Sequence, residues 1–305
     1  MMKIDIFSHV LLPQFCKKML DIDAGLLQKM PFLQNPLLLD MKMRQEVGIS
    51  DVKQVLSFVN VNPEDYLEKN QALDLVKEAN HELLDTVLAY PKQFFGAVTM
   101  LALNNIDGSL GILEDFVVKH SQIFGVQLFT RHLGLSIADP QFKPIFKKCE
   151  ELDIPIWLHP VFDDRKPDNN IVFSWEYEQS QAMLQLVEAG IFQDFPNIKI
   201  IVHHAGAMVP FFSERIKHIL PESQAEDFRK FYVDTAILGN PTALELAIEY
   251  FGIERVLFGT DAPLGIAPSG ATQVIIEAIE KLPLSSSDKR AIYSDNFKNL
   301  IKREI

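Results

Sequence analysis

Eight short runs of apolar, β-branched and aromatic residues recur along the chain, each followed by a stretch with helical spacing. They are KIDIF (3–7), VKQVLSF (52–58), FFGAVTM (94–100), FGVQLF (124–129), IPIWLH (154–159), IKIIVHH (198–204), FYVDT (231–235) and RVLFGTD (255–261). Most are near-continuously apolar, the pattern of parallel strands covered on both faces. Intervening segments such as NQALDLVKEANHELLDTVLAY and GSLGILEDFVVKH repeat apolar residues every three or four positions. Pro and Gly punctuate them in YPKQF, FPNIK and FGIER. Eight β-then-α units predict an α/β fold, a closed (β/α)8 TIM barrel. No low-complexity run or long polar linker divides the chain, so residues 1–305 read as one domain.

Two connections exceed what such a barrel needs. Residues 11–48, after the first strand, hold QFCKKMLDI and LLQKMPFLQNPLLLDM and read as a small cap insertion. Residues 160–177, after the fifth, are polar, contain Pro and end in aromatics. Both leave strand C-termini, the face on which these barrels keep their sites.

Composition narrows the partners. A net charge of −12 argues against a nucleic-acid or anionic-membrane partner, since neither attracts a negative surface. No stretch approaches the ~18 apolar residues of a membrane span. The two cysteines, Cys16 and Cys149, lack a CxxC spacing, and MMKIDIFSHV lacks the layout of a signal peptide. A reduced, cytoplasmic protein is expected.

Polar residues gather at the predicted strand ends: Ser8-His9, His159-Pro160, His203-His204 and Gly259-Thr260-Asp261. A lone histidine is usually structural, but three histidine positions and an aspartate at one end of one barrel suit Zn²⁺ or a similar divalent ion. The alternation of strand side chains sets Ile200, Val202 and His204 on one face and Ile201 and His203 on the other. His204, nearer the rim, is read as the inward one. Glu178 opens EQSQAM and reads as a helix cap, while Arg131 and Arg165 lie in loops at the site face. Trp175 stands near the same rim.

Longer blocks then carry a family resemblance: IDIFSHVLLP, GVQL, DPQFKPIFKKCEELDIPIWLHP, EQSQAM, GIFQDFPNIKIIVHHAGAMVPFFSER, YVDTA, RVLFGTDAP and SDNFKNLI. In order and spacing, over the whole length, they resemble the amidohydrolase superfamily, in the branch containing aminocarboxymuconate-semialdehyde decarboxylase and γ-resorcylate decarboxylase. The resemblance implies His9, His159 and Asp261 as ligands of one divalent metal ion, Zn²⁺ or Mn²⁺, with His204 as the catalytic histidine. Gln127 stands where two-metal relatives carry a bridging lysine, which implies one ion. Arg215 follows HHAGAMVPFF where this branch keeps an arginine that reaches a carboxylate across a homodimer interface. Arg131 and Trp175 are the other substrate-binding candidates.

Position 7 departs from the family, which has His or Glu there. Phe7 offers no lone pair. Three readings stay open: an ion held by three protein ligands and water, an enzyme with a weak or absent ion, or a barrel that only binds small molecules. The leading function is metal-dependent decarboxylation of a small unsaturated or aromatic carboxylic acid, with His204 handling the proton. Hydrolysis of a small ester, lactone or amide, with Asp261 accepting the proton, is the alternative.

Overall fold

The structure, a computed structural model, describes residues 1–161 and 169–302. Seven of the eight predicted runs form strands: β1 Lys3–Val10, β2 Val52–Phe58, β3 Phe94–Thr99, β4 Ile123–Phe129, β5 Ile156–His159, β6 Ile200–Val202 and β7 Tyr232–Val233. They lie in sequence order in one sheet. Every adjacent pair is parallel, with helical segments between, so the chain is an α/β fold.

The eighth run differs from a regular strand. It makes one parallel bridge to each edge of the sheet, Val256 to Val233 and Ala262 to Ser8. Leu257 N donates to Val233 O at 2.8 Å and Ile6 N to Phe258 O at 2.8 Å. Asp261 N donates to Phe7 O at 2.9 Å and His9 N to Ala262 O at 2.7 Å. The ladder is interrupted because side chains take its backbone groups. Thr235 Oγ1 bonds both N and O of Gly259, and Asp5 Oδ1 accepts from Thr260 N. The register of β1 also slips between Asp5 and Ser8.

Side-chain alternation sorts the core into two clusters. Ile6, Val55, Val98, Phe124, Trp157, Ile201 and Leu257, one from nearly every strand run, pack together inside the curl. Trp157 Nε1 crosses this interior to donate to Ile6 O at 2.9 Å, so the ring's one polar atom is satisfied. Leu56, Ala97, Val126, Leu158, Ile200, Val202 and Val233 belong to the larger cluster under the helices. Among the described residues no helix is long and apolar enough to cross a membrane.

Residues 11–48 fold as short helices, including Pro13–Ile22 and Met41–Glu46. Arg44, buried at 3% exposure, fastens them to the strand ends. Its guanidinium donates to the carbonyls of His9, Leu37 and Ala262, to Ser8 Oγ and to Gln54 Oε1. Asn35 Nδ2 adds a bond to Pro263 O at 3.0 Å. Arg44→Met therefore strands several buried acceptors at once. We expect it to lower unfolding stability by ~2–4 kcal/mol, read from the midpoint shift in chemical denaturation.

Candidate active site

The C-terminal ends of β1, β5 and the eighth run bring together side chains far apart in sequence. His9 Nε2 lies 3.2 Å from His159 Nε2 and 3.1 Å from Asp261 Oδ1. His159 Nδ1 donates to Pro160 O at 2.6 Å, because a carbonyl can only accept. This leaves the Nε2 lone pair of the neutral ring facing His9. Burial, then the neighbouring imidazoles of His9 and His203, hold the His159 pKa well below its ordinary value, so it stays neutral. His9 Nε2–H then sits between two acceptors, Asp261 Oδ1 and His159 Nε2. Ser57 Oγ, paired with His9 in the β1–β2 register, meets His9 Nδ1 at 3.2 Å.

Phe7 faces the interior beside these groups, at 0% exposure. Its ring meets His9 edge-on with centroids 4.6 Å apart, and lies face to face with His203 at 3.5 Å. The expected facing of β6 is thereby corrected. Ile201 is in the interior cluster while Ile200 and Val202 pack outside, so alternation turns His203 inward. His203 Nδ1 bonds Asp234 Oδ2 at 2.6 Å, and Nε2 has no hydrogen-bond partner among the described residues. Burial lowers the His203 pKa, against the raising effect of Asp234.

His204 reaches the site by another route. β6 ends at Val202, and the chain turns through left-handed conformations at His204 (φ 55°) and Ala205 (φ 55°). Its ring lies 6.0 Å from Phe7 and near-parallel to Trp175 at 6.5 Å. Glu176 Oε1, from the helix Ser174–Glu188, is 2.7 Å from His204 Nδ1. Burial opposes charge on this ring, but Glu176 outweighs it and raises the pKa to about 9, with smaller contributions from Asp261 and Asp234.

The remaining candidates separate into near and far. Trp175 joins the cluster, 5.8 Å from His159 and edge-on to Phe32 of the 11–48 segment. Arg131 forms an ion pair with Glu178, which lies in the second turn of its helix and is no N-terminal cap. Arg215 lines an apolar groove of ≈ 450 Å³ with Tyr177, Met208, Phe212 and Ile219. Gln127 donates to Phe58 O at 2.8 Å, an interior hydrogen bond. Arg165 lies outside the described residues.

Sequence reasoning singled out Glu178 and passed over Glu176, since nothing in WEYEQ tells which glutamate meets the histidine. Gln179 and Ser57 were missed as well. The strand register could have found Ser57, because it stands opposite His9.

The donor set suits a divalent ion in its chemistry. Two imidazole nitrogens and a carboxylate oxygen can each present a lone pair once His9 Nε2 releases its proton. As the side chains stand they meet in pairs at His9. Among the described residues no group of three or more His, Cys, Asp or Glu side chains is arranged to hold an ion. Position 7 adds no donor.

Comparison with known proteins gives the same direction. The sequence profile of the amidohydrolase family matches residues 56–298. The 2-amino-3-carboxymuconate-6-semialdehyde decarboxylase of Dictyostelium discoideum is 29% identical, covering 78% of this chain and 70% of that protein. The 6-methylsalicylic acid decarboxylase of Penicillium expansum is 27% identical over 96% of this chain and 94% of its own. Among solved structures, 2,6-dihydroxybenzoate decarboxylase complexed with 2,6-dihydroxybenzoate superposes with a TM-score of 0.80 at 21% identity, covering 99% of both chains. Dihydroxybenzoic acid decarboxylase from Polaromonas sp. JS666, with bound manganese and 2-nitroresorcinol, gives 0.80 at 22% identity, covering 99% of this chain and 97% of that one. The chain belongs to the amidohydrolase superfamily, in the branch that holds the aminocarboxymuconate-semialdehyde and γ-resorcylate decarboxylases.

Proposed function

We propose that this protein is a metal-dependent decarboxylase of a small aromatic or unsaturated carboxylic acid. The observation that carries the reading is the meeting of His9, His159 and Asp261 at one end of the sheet, with His204 and Trp175 beside them. The decarboxylases among its relatives support carbon–carbon cleavage over hydrolysis. Its frame is a one-domain (β/α)8 barrel closed by the 256–262 run and capped by residues 11–48, a reading supported by the bonds from that run to both edge strands and by Arg44.

His9, His159 and Asp261 would hold one ion, Zn²⁺ or, as in the Polaromonas structure, Mn²⁺. Such an ion supplies Lewis-acid stabilisation of negative charge on the substrate. The protein's own part is acid catalysis and water exclusion. When the bond to the carboxyl carbon breaks, CO2 leaves and the electron pair stays on the substrate carbon. His204, kept protonated by Glu176, delivers the proton to that carbon. Trp175 offers an aromatic face beside the same imidazole. Phe7 and His203 seal the inner wall against water.

We further infer a homodimer. Tyr177, Phe211, Phe212 and Ile219 are exposed near Arg215, an apolar patch of the kind that serves as a protein–protein surface. A cytoplasmic location agrees with two buried free cysteines.

The direct test is incubation of Mn²⁺-loaded protein with 2,6-dihydroxybenzoate, 6-methylsalicylate and 5-carboxyvanillate, following CO2 release and the decarboxylated product. No turnover of any of them, with ester or lactone cleavage instead, would overturn the reading. The working form of His204 is the protonated one, present below about pH 9 and lost above it. The rate is therefore expected to fall on the alkaline side as pH rises through about 9. Metal content gives a second check. His159→Ala should weaken Mn²⁺ binding by roughly tenfold or more while His204→Ala leaves it near wild type, as read by competition with a chelating dye. Phe7→His should tighten the same binding. If it binds no tighter and melts lower, the metal-site assignment is wrong.

A further inference from the structure

Two side chains of the helix Ser174–Glu188 converge on one nitrogen of His204. Glu176 Oε1 is 2.7 Å from Nδ1, and Gln179 Nε2, one turn further along the same face, is 3.2 Å from it. A carboxylate can only accept, so Nδ1 carries the hydrogen. An amide nitrogen is also a donor and has nothing to offer an N–H. The amide oxygen of Gln179 is buried without a hydrogen-bond partner among the described residues. Turning the amide over gives that oxygen Nδ1–H as its donor, beside the Glu176 carboxylate. The Nδ1 edge is then committed to the helix, and Nε2 is the one polar atom left for chemistry.

The backbone offers an independent sign. His204 holds φ at 55°, a left-handed conformation that strains a non-glycine residue and persists only where its surroundings fix it. An imidazole anchored on its far edge by two side chains is such a fixture.

We propose that Glu176, assisted by Gln179, is the positioning residue of His204. It locks the ring orientation and the Nδ1–H tautomer, so that the Nε2 edge is the one offered to substrate. The role parallels the carboxylate that orients the histidine in hydrolytic triads. It rests on reading His204 as the proton donor, and the experiment keeps the two claims apart.

Full-length protein labelled with ¹⁵N-histidine reports the tautomer of His204 from its two ring-nitrogen shifts, assigned by the signals lost in His204→Ala. Spectra are recorded at a pH above 9, where the neutral form is populated. Glu176→Ala, Glu176→Gln and Gln179→Ala are compared with wild type by this signature and by kcat and KM. Glu176→Ala is expected to mix the tautomers and lower kcat about tenfold to a hundredfold with KM within about twofold. Glu176→Gln retains an oxygen acceptor and should restore the Nδ1–H signature. An unchanged signature in Glu176→Ala would overturn the proposal, whatever the activity. If wild type turns over no carboxylic acid but the signature still depends on Glu176, the decarboxylase reading fails and the positioning role stands. Glu176 is partly exposed, so if the Ala variant misfolds Glu176→Leu, which also lacks an acceptor, takes its place: a signature unchanged from wild type there overturns the proposal.

Discussion

Two backbone hydrogen bonds between β1 and the run near the chain's end hold the site together. Asp261 N reaches Phe7 O and His9 N reaches Ala262 O, at 2.9 and 2.7 Å. They join residues about 250 positions apart and put His9 and Asp261 side by side at one rim. The closure is not a plain ladder, since Asp5, Thr235 and Thr260 supply side-chain groups where backbone pairing is interrupted. Arg44 then ties the carbonyls of His9 and Ala262 from above, so the 11–48 segment stiffens the two strand ends that carry the proposed donors.

The four histidines of the site share one arrangement. Each has its Nδ1 edge engaged: His9 by Ser57, His159 by the Pro160 carbonyl, His203 by Asp234 and His204 by Glu176. An imidazole held on one edge has its orientation set; in His159, His203 and His204 the Nε2 is what remains for a ligand or a proton, while in His9 it already meets Asp261 and His159. Their electrostatics then diverge. Burial and crowding keep His159 and His203 uncharged, while Glu176 keeps His204 charged to about pH 9. The proposed metal donors and the proposed proton source thus sit within one cluster of like side chains.

Phe7 and His203 belong together. A ring without a lone pair stands where the family resemblance implies a ligand, and the neighbouring inward histidine stacks on its face. The stacking buries both rings completely, at the expense of a donor on β1. In the proposed site, three protein donors and whatever substrate or water adds would set the metal affinity.

The sequence by itself determined the parallel α/β frame, because strands covered on both faces must be apolar throughout and their helices must carry a 3.6-residue period. It also determined that His9, His159 and Asp261 stand at strand ends, since a residue's place along a strand is local information. Which way adjacent residues face was decided only by the tertiary structure. His203 and His204 are alike in sequence, and the interior packing of Ile201 against Trp157 chose His203 as the inward one. The partners were beyond the sequence as well. Glu176 and Glu178 differ by two positions on one helix, yet one meets His204 and the other Arg131. A rotation of about 200° between them turns one toward His204 and the other toward Arg131, and that angle has meaning only once the helix is packed against the sheet.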